Sequence, residues 1–292
     1  VHGIVETRQN RLTGILLMLA GVACLSVNDA LAKSLTATYS PVQILFIRNV
    51  IALPFALAVA YGMGGAPALR SRRPLAHLAR GVLWLAAAVL FFTSIMHLKL
   101  AEATALIFAA PFFITAMSAL VLRDHVGWRR WSAVIAGFVG VLIVVRPGAA
   151  SFQPVALLPV ATAFLYALLM LSARWLDPRE SVWTLLLYLT GAGTLVAALA
   201  APFVWREIQS EHILLFFAIS LFGTVGMTMM TQAFRLAPAA LIAPLDYTAL
   251  VWATAFGWLI WREVPDTATF LGAAVIITSG VVVILREGRA TD

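Results

Sequence analysis

The chain has 292 residues, of which 62% are hydrophobic and 11% charged, and its mean hydropathy is +0.96, whereas soluble domains are about 45–50% apolar and about 25% charged. A soluble core of this length could not use so much apolar surface. The formal net charge of +7 is scattered over short connections without a dense basic patch of interleaved aromatics, which excludes a nucleic-acid partner.

A helix needs about 20 residues to cross the roughly 30 Å hydrocarbon layer, and runs of that order fall near 12–34, 42–62, 77–98, 101–122, 129–146, 154–175, 182–204, 212–235, 238–260 and 267–285. The first follows Arg8 and Arg11 and ends in Ala30-Leu31-Ala32, an outline shared with signal peptides. Its removal would leave nine runs and break the pairing of halves set out below, so we expect it to stay. Its lone Cys24 permits no internal disulfide and reads as a small packing residue.

An ionisable side chain inside a span costs at least about 2.5–3.5 kcal/mol on insertion scales, so each one marks a candidate site. In the first run, Asn28 and Asp29 either line a cavity, or Asp29 pairs at the helix end with Lys33, four residues on. In the second, Arg48 stands beside Asn49 about two turns inside. Three readings of Arg48 stand: snorkelling to the interface, pairing with Asp29 or Asp246, or holding an anionic substrate group through its two-pronged fork. His97 ends the third run, which carries Trp84, Phe91 and Phe92. Pro111 in the fourth run and Pro244 in the ninth signal helix kinks, since proline lacks an N–H and clashes with the carbonyl four residues earlier. Tyr166, Tyr247 and Trp252 join the third-run aromatics as a candidate lining, with Asp246 near the second kink. The eighth run holds Gly223-Thr224-Val225-Gly226-Met227-Thr228-Met229-Met230-Thr231-Gln232, suited to close helix packing or to an adaptable substrate surface.

With a cytoplasmic N-terminus, one side of the bilayer holds Arg8, Arg11, Arg70, Arg72, Arg73, Arg80, Arg123, Arg129, Arg130, Arg174, Arg179, Arg235, Arg286 and Arg289, and the other only Lys33, Lys99, Arg146, Arg206 and Arg262. That bias predicts both termini in the cytoplasm and an even number of spans in an inner (plasma) membrane.

The two halves share their punctuation. Leu98-Lys99-Leu100-Ala101 parallels Phe234-Arg235-Leu236-Ala237. Arg123-Asp124 and Arg262-Glu263 each end the helix that follows, and Gly140 to Arg146 parallels Gly280 to Arg286. A repeat of five spans re-enters the bilayer with opposite polarity, a construction found in secondary transporters with a midplane site between the halves. The expected fold is an all-α membrane protein of ten transmembrane helices in two inverted five-helix repeats, 12–147 and 154–286, flanked by tails at 1–11 and 287–292.

The residues Ala101 to Pro111, Gly137 to Pro147, Ala243-Pro244-Leu245-Asp246-Tyr247, Trp252, Gly257-Trp258, Arg262-Glu263-Val264-Pro265 and Gly272 to Gly280 make the chain resemble the drug/metabolite transporter superfamily, in particular its ten-helix carriers of two EamA-type repeats. The helix-ending Gly-Glu usual in that family is replaced here by Arg-Asp and Arg-Glu. The resemblance implies an alternating-access carrier with a central cavity for amino acids, nucleotide-like cofactors, vitamins or drugs.

No phosphate-loop motif and no room for a nucleotide-binding domain are present, so transport would run on gradients. Asp29 or Asp246 would carry a coupled proton, or the substrate would move down its own gradient. The five histidines form no H-E-x-x-H and no G-x-S-x-G turn occurs, so we expect no catalytic residue, no metal site and no cofactor. The expected substrate-binding set is Asn28, Asp29, Arg48, Asn49, Trp84, Phe91, Tyr166, Asp246, Tyr247 and Trp252. The expected partners are a small-molecule substrate, either an amino acid or related amphipathic compound or a cofactor of S-adenosylmethionine or riboflavin type, and the lipid bilayer, around a monomer or weak homodimer. A channel or a structural membrane subunit is the competing class.

Overall fold

The computed structural model describes residues 8–120, 127–149, 152–172 and 180–288; the Arg123-Asp124 helix end lies outside them. Every regular element among the described residues is helical. In chain order these are α1 (Arg8–Thr36), α2 (Pro41–Gly64), α3 (Pro74–His97), α4 (Leu100–Ile107), α5 (Ala110–Leu120), α6 (Trp128–Val145), α7 (Leu157–Leu171), α8 (Val182–Ala200), α9 (Ile213–Leu236), α10 (Ala239–Ile242), α11 (Ala249–Trp261) and α12 (Thr267–Gly288). Among the described residues, seven helical segments are long and apolar enough to cross a membrane: Asn10–Thr36, Pro41–Gly64, Pro74–His97, Leu100–Leu120, Pro154–Leu171, Val182–Val204 and Ser210–Leu236. Two shorter apolar helices, Trp131–Val145 and Thr267–Val282, join them.

The fourth and ninth apolar runs are interrupted. A ring at Pro111 crowds the carbonyl of Ile107, and α4 ends at that residue; α5 resumes at Ala110. In the ninth run the chain passes from α10 through a 3₁₀ stretch, Ala243–Thr248, that contains Pro244, before α11 begins. No single helix of span length is therefore left in that run.

Elements of the first half pack mostly on elements of the second. Helix α1 lies along α9, α2 along α8, α3 against α7 and α8, α4 against α11, and α6 along α12. Small residues bring the backbones together, as they do between membrane helices generally: a Cβ at Gly21 would stand 3.0 Å from the carbonyl oxygen of Gly226, and one at Gly140 would stand 2.9 Å from that of Gly272. Between the halves, buried Phe92, Ile95, Leu100, Leu106, Phe112, Ile219 and Ile276 belong to one continuous apolar cluster.

Polar networks tie the halves together at both ends. At one end Lys33 reaches Glu263, Lys99 Nζ donates to the Val264 carbonyl at 2.7 Å, and Arg146 pairs with Asp266. Nearby, Gln43 and the backbone of Arg206 exchange two hydrogen bonds of 2.6 and 2.9 Å. At the other end Glu180 accepts from His77 Nε2 at 2.7 Å, Ser71 Oγ at 2.8 Å and the Arg72 amide at 2.5 Å. Burial alone would push the Glu180 carboxyl up, but these donors hold it below the ordinary carboxylate value.

Candidate functional site

Helix α2 starts abruptly: Pro41 suits the first helical position, and the Ser40 hydroxyl caps the Gln43 amide at 3.2 Å. That start places Arg48 and Asn49 two turns deep, Arg48 beside Gly223 of α9 and Asn49 beside Gly193 of α8. They line a cavity of about 240 Å³ together with Asn28 and Asp29 of α1, Trp84, Phe91 and Phe92 of α3, Trp183, Leu186 and Thr190 of α8, and Gly223, Thr224, Met227 and Thr228 of α9. The wall is therefore drawn from both halves of the chain.

Within the cavity the Asn28 Nδ2 donates to Asp29 Oδ1 at 3.0 Å, which turns the Asn28 Oδ1 away from the carboxylate. That oxygen has no partner, and neither do Arg48 Nε and Asn49 Nδ2, although all three atoms are buried. The guanidinium lies 5.7 Å from the Trp84 ring, within cation–π range, and the Arg48 carbonyl accepts from Ser220 Oγ at 3.1 Å. Asp29 and Arg48 act on one another electrostatically but form no salt bridge among the described residues. Gly223 makes the room: a Cβ there would stand 2.5 Å from an Arg48 terminal nitrogen and 2.8 Å from Asn28 Oδ1.

Lys33 takes no part. Its ammonium donates to both Glu263 oxygens at 2.6 and 2.8 Å and to the Leu98 carbonyl at 2.8 Å, so the Asp29–Lys33 alternative does not hold. Arg48 likewise forms no salt bridge with Asp246 among the described residues.

Asp246, Tyr247, Tyr166 and Trp252 do not line this cavity. Asp246 lies close enough to Tyr166 and Tyr247 to act on both electrostatically. Tyr247 is buried edge-on against Phe108, with ring centroids 4.8 Å apart, and its hydroxyl has no partner. Trp252 stacks on Phe256 at 5.9 Å and is 39% exposed. Hydropathy carries no distances across the fold, which is why one site around Arg48 and Asp246 was expected.

Sequence reasoning missed the α8 contribution. Thr190 lines the cavity, and a Cβ at Gly193 would stand 3.0 Å from the Trp84 ring, so α8 supports the aromatic wall from behind. The signal was available in the run Thr190-Gly191-Ala192-Gly193-Thr194, the small-residue counterpart of the run singled out in α9.

Long apolar helices around a charged and aromatic internal cavity, drawn from both halves, define a multi-pass membrane transporter. The profile of the EamA-like transporter family matches residues 12–146 and 153–286, and the chain belongs to that family. It is similar to the S-adenosylmethionine uptake transporter of Rickettsia prowazekii (strain Madrid E), at 26% identity over 96% of this chain and 95% of the relative. It is also similar to the pseudopaline exporter CntI of Pseudomonas aeruginosa (strain PAO1), at 29% over 91% and 94%, and to a riboflavin transporter of Vibrio cholerae serotype O1, at 29% over 93% and 93%. A solved crystal structure of 19% identity matches it with a TM-score of 0.65 over 96% of this chain and 99% of that one, a likeness of fold. The family and these relatives mark the protein as a secondary transporter of small metabolites, not an enzyme.

Proposed function

We propose that the protein carries an amphipathic metabolite of amino-acid type across the inner membrane by alternating access, through the cavity holding Asp29 and Arg48. The observation that carries this reading is the cavity wall itself: α1, α2 and α3 meet α8 and α9 around opposite charges held apart. A wall shared by two halves changes its access when the halves rock against one another.

The contact pattern supports ten spans in two inverted repeats, 12–147 and 154–286. Exchanging α1–α6 for α7–α12 in order turns the α1–α9 pair into the α7–α3 pair and the α3–α8 pair into the α9–α2 pair, and returns α2–α8 and α6–α12 to themselves. A twofold between the repeats has that property. The charge bias of the connections supports cytoplasmic termini. The relatives named for S-adenosylmethionine and riboflavin carriage support a flat, partly polar substrate as the second reading, with the Trp84, Phe91 and Phe92 wall to receive it.

Counterflow tests the carrier reading. Purified protein in liposomes is given labelled S-adenosylmethionine or labelled L-amino acids outside, with the same unlabelled compound inside. Trans-stimulated entry is expected, and its absence for every compound overturns the carrier reading. An imposed pH gradient then tests coupling: acceleration lost in Asp246→Asn assigns the proton to the region outside the cavity, and acceleration lost in Asp29→Asn assigns it to the cavity. No acceleration in the unmodified protein means movement down the substrate's own gradient.

A further inference from the structure

We propose that Tyr39 and His212 form a pH-sensitive latch over one end of the bundle, holding that end shut while His212 is neutral and releasing it when the imidazole takes a second proton. Alternating access requires this end to open in its turn, so the inference rests on the carrier reading. It adds the group that controls the opening.

The cavity shows which end is shut. Its α2 lining, Arg48, Asn49, Ala52, Ala56, Val59 and Ala60, begins at the second turn, so the space extends towards Gly64 and stops short of the Pro41 end. Nearer the Pro41 end, α2 and α9 contribute Ile44, Leu45, Phe216 and Ile219, each at most 2% exposed. Over this plug the α8–α9 connector, 201–212, is tied to the α1–α2 turn, 37–40. Besides the two bonds between Gln43 and the Arg206 backbone, Arg206 Nη1 donates to the Thr38 carbonyl at 2.8 Å, and the Gln209 amide donates to Tyr39 Oη at 3.0 Å. Tyr39 Oη also lies 3.0 Å from His212 Nδ1, with the two rings edge-on at 5.4 Å.

Counting protons gives the sign. Tyr39 Oη accepts from the Gln209 amide, and its own hydrogen, on a residue 2% exposed, has Nδ1 as its acceptor. That bond needs a lone pair on Nδ1, hence a neutral imidazole carrying its hydrogen on Nε2. With a second proton on Nδ1 the phenol can still accept, but its own hydrogen then faces no acceptor in a site closed to water. Leaving a buried donor unmet shifts an equilibrium roughly 5- to 150-fold. The latch is therefore complete where imidazoles are neutral and weakens as pH falls through their range, about pH 8 to 5.

Charged groups on the neighbouring elements do not reverse that sign. On the connector, Arg206 is engaged with Thr38, while Glu207 and Glu211 are exposed. These two carboxylates favour the imidazolium, which moves the midpoint up the pH scale and leaves the direction as it is. The α1–α2 turn and α8 carry no charged residue, α2 carries only Arg48 in the cavity, and α9 carries none before Arg235. At the end of α1, Lys33 is held by Glu263. The Asp266 carboxyl, at about 2, titrates below the window.

Spin labels on the purified full-length protein test the latch. In a Cys24→Ser background they are attached through Ala37→Cys and Ser210→Cys, two exposed positions on the turn and the connector. Dipolar distances are read at about pH 8 and about pH 5. A short separation is expected at the higher pH, and at the lower one a longer population whose ratio to the short one has risen roughly 5- to 150-fold. His212→Gln keeps a side-chain acceptor for Tyr39 and does not titrate, so it should hold the short separation at both. Tyr39→Phe should show the longer population at both; should it fail to fold, His212→Gln decides alone. A distribution that does not change with pH in the labelled parent overturns the latch. So does a pH response that survives in His212→Gln, which assigns the response to another group. The distances need no turnover, so a pH-dependent separation in a protein without counterflow removes the carrier reading and keeps the latch.

Discussion

Lys33 Nζ lies 2.6 and 2.8 Å from the two carboxylate oxygens of Glu263, 230 residues away, and the same carboxylate accepts the Leu100 amide at 3.2 Å. One acid thereby joins α1, the start of α4 and the turn after α11. Because the lysine's charge is compensated there, Asp29 one turn earlier keeps its carboxylate for the cavity. The Trp261 ring, 5.1 Å from the same ammonium, closes the remaining side.

Replacing Glu263 with Gln should therefore loosen that end of the molecule. Lys33 has only 8% of its side chain exposed and would be left without a counter-charge. Loss of a hydrogen bond to a charged group costs about 1.5–3 kcal/mol, so a lower melting temperature in detergent is expected. Lys33→Met should lower it too, whereas the double variant should lose less than the sum of the two. Strict additivity would show that the pair is not coupled.

Asp266 provides a pH test outside the membrane. Its hydrogen bond to Arg146 takes its pKa from an ordinary 3.8 to about 2, against an opposing push from burial, and a cap on the Thr269 amide at 2.8 Å adds to the lowering. A pKa lower in the folded state means a contribution that is fully present above about pH 4 and lost as pH falls through the folded value near 2. The melting temperature should fall over that window, and Asp266→Asn should remove this part of the fall while retaining an N-cap oxygen for α12. An identical acid profile in the Asn variant would exclude the Arg146 pair as its source.

Much of the fold is legible because lipid imposes simple demands. A run of apolar residues long enough to cross must be a helix, and Pro111 announces the break that ends α4 at Ile107. The expense of Arg48 and Asp29 in hydrocarbon marked them, and Asn28, Asn49, Trp84 and Phe91 line the same cavity. Pairing across the fold is a different matter. The i to i+4 spacing suggested Asp29 for Lys33, but tertiary packing brought Glu263 to it from the other half. Asp246 is grouped with Arg48 in the sequence because both are ionisable groups inside spans, and the structure sets it near Tyr166 and Tyr247 instead, in the 3₁₀ turn at Ala243–Thr248.

Tyr247 and Gly280 form a fitted pair whose repair can be measured. The phenol hydroxyl is buried, has no hydrogen-bond partner, and occupies the place a Cβ on Gly280 would need. Gly280→Ala should destabilise the protein by about 1–3 kcal/mol through overpacking. Tyr247→Phe removes a buried, unsatisfied hydroxyl and should be neutral or stabilising by itself. In combination the phenylalanine should recover part of the stability lost to the alanine, since the ring Cζ would still stand 2.8 Å from the new Cβ. A double variant as unstable as the alanine variant would place the clash elsewhere.

Gly223 offers the sharpest separation of fold from transport. Its missing side chain leaves the space taken by the Arg48 guanidinium and Asn28 Oδ1, with a built Cβ 2.5 Å from one and 2.8 Å from the other. Alanine there must displace the far end of a flexible arginine, which has the cavity to move into, so α9 itself should survive. The displaced fork would then occupy the space the substrate needs. Gly223→Ala is expected to keep its melting temperature within about 1 kcal/mol of stability, as tolerated changes do, while counterflow falls by an order of magnitude or more. Gly62 supplies the control, since a Cβ there meets nothing within 4 Å. Gly62→Ala should leave counterflow intact. Normal flux in Gly223→Ala would show that Arg48 does not need its present position for transport.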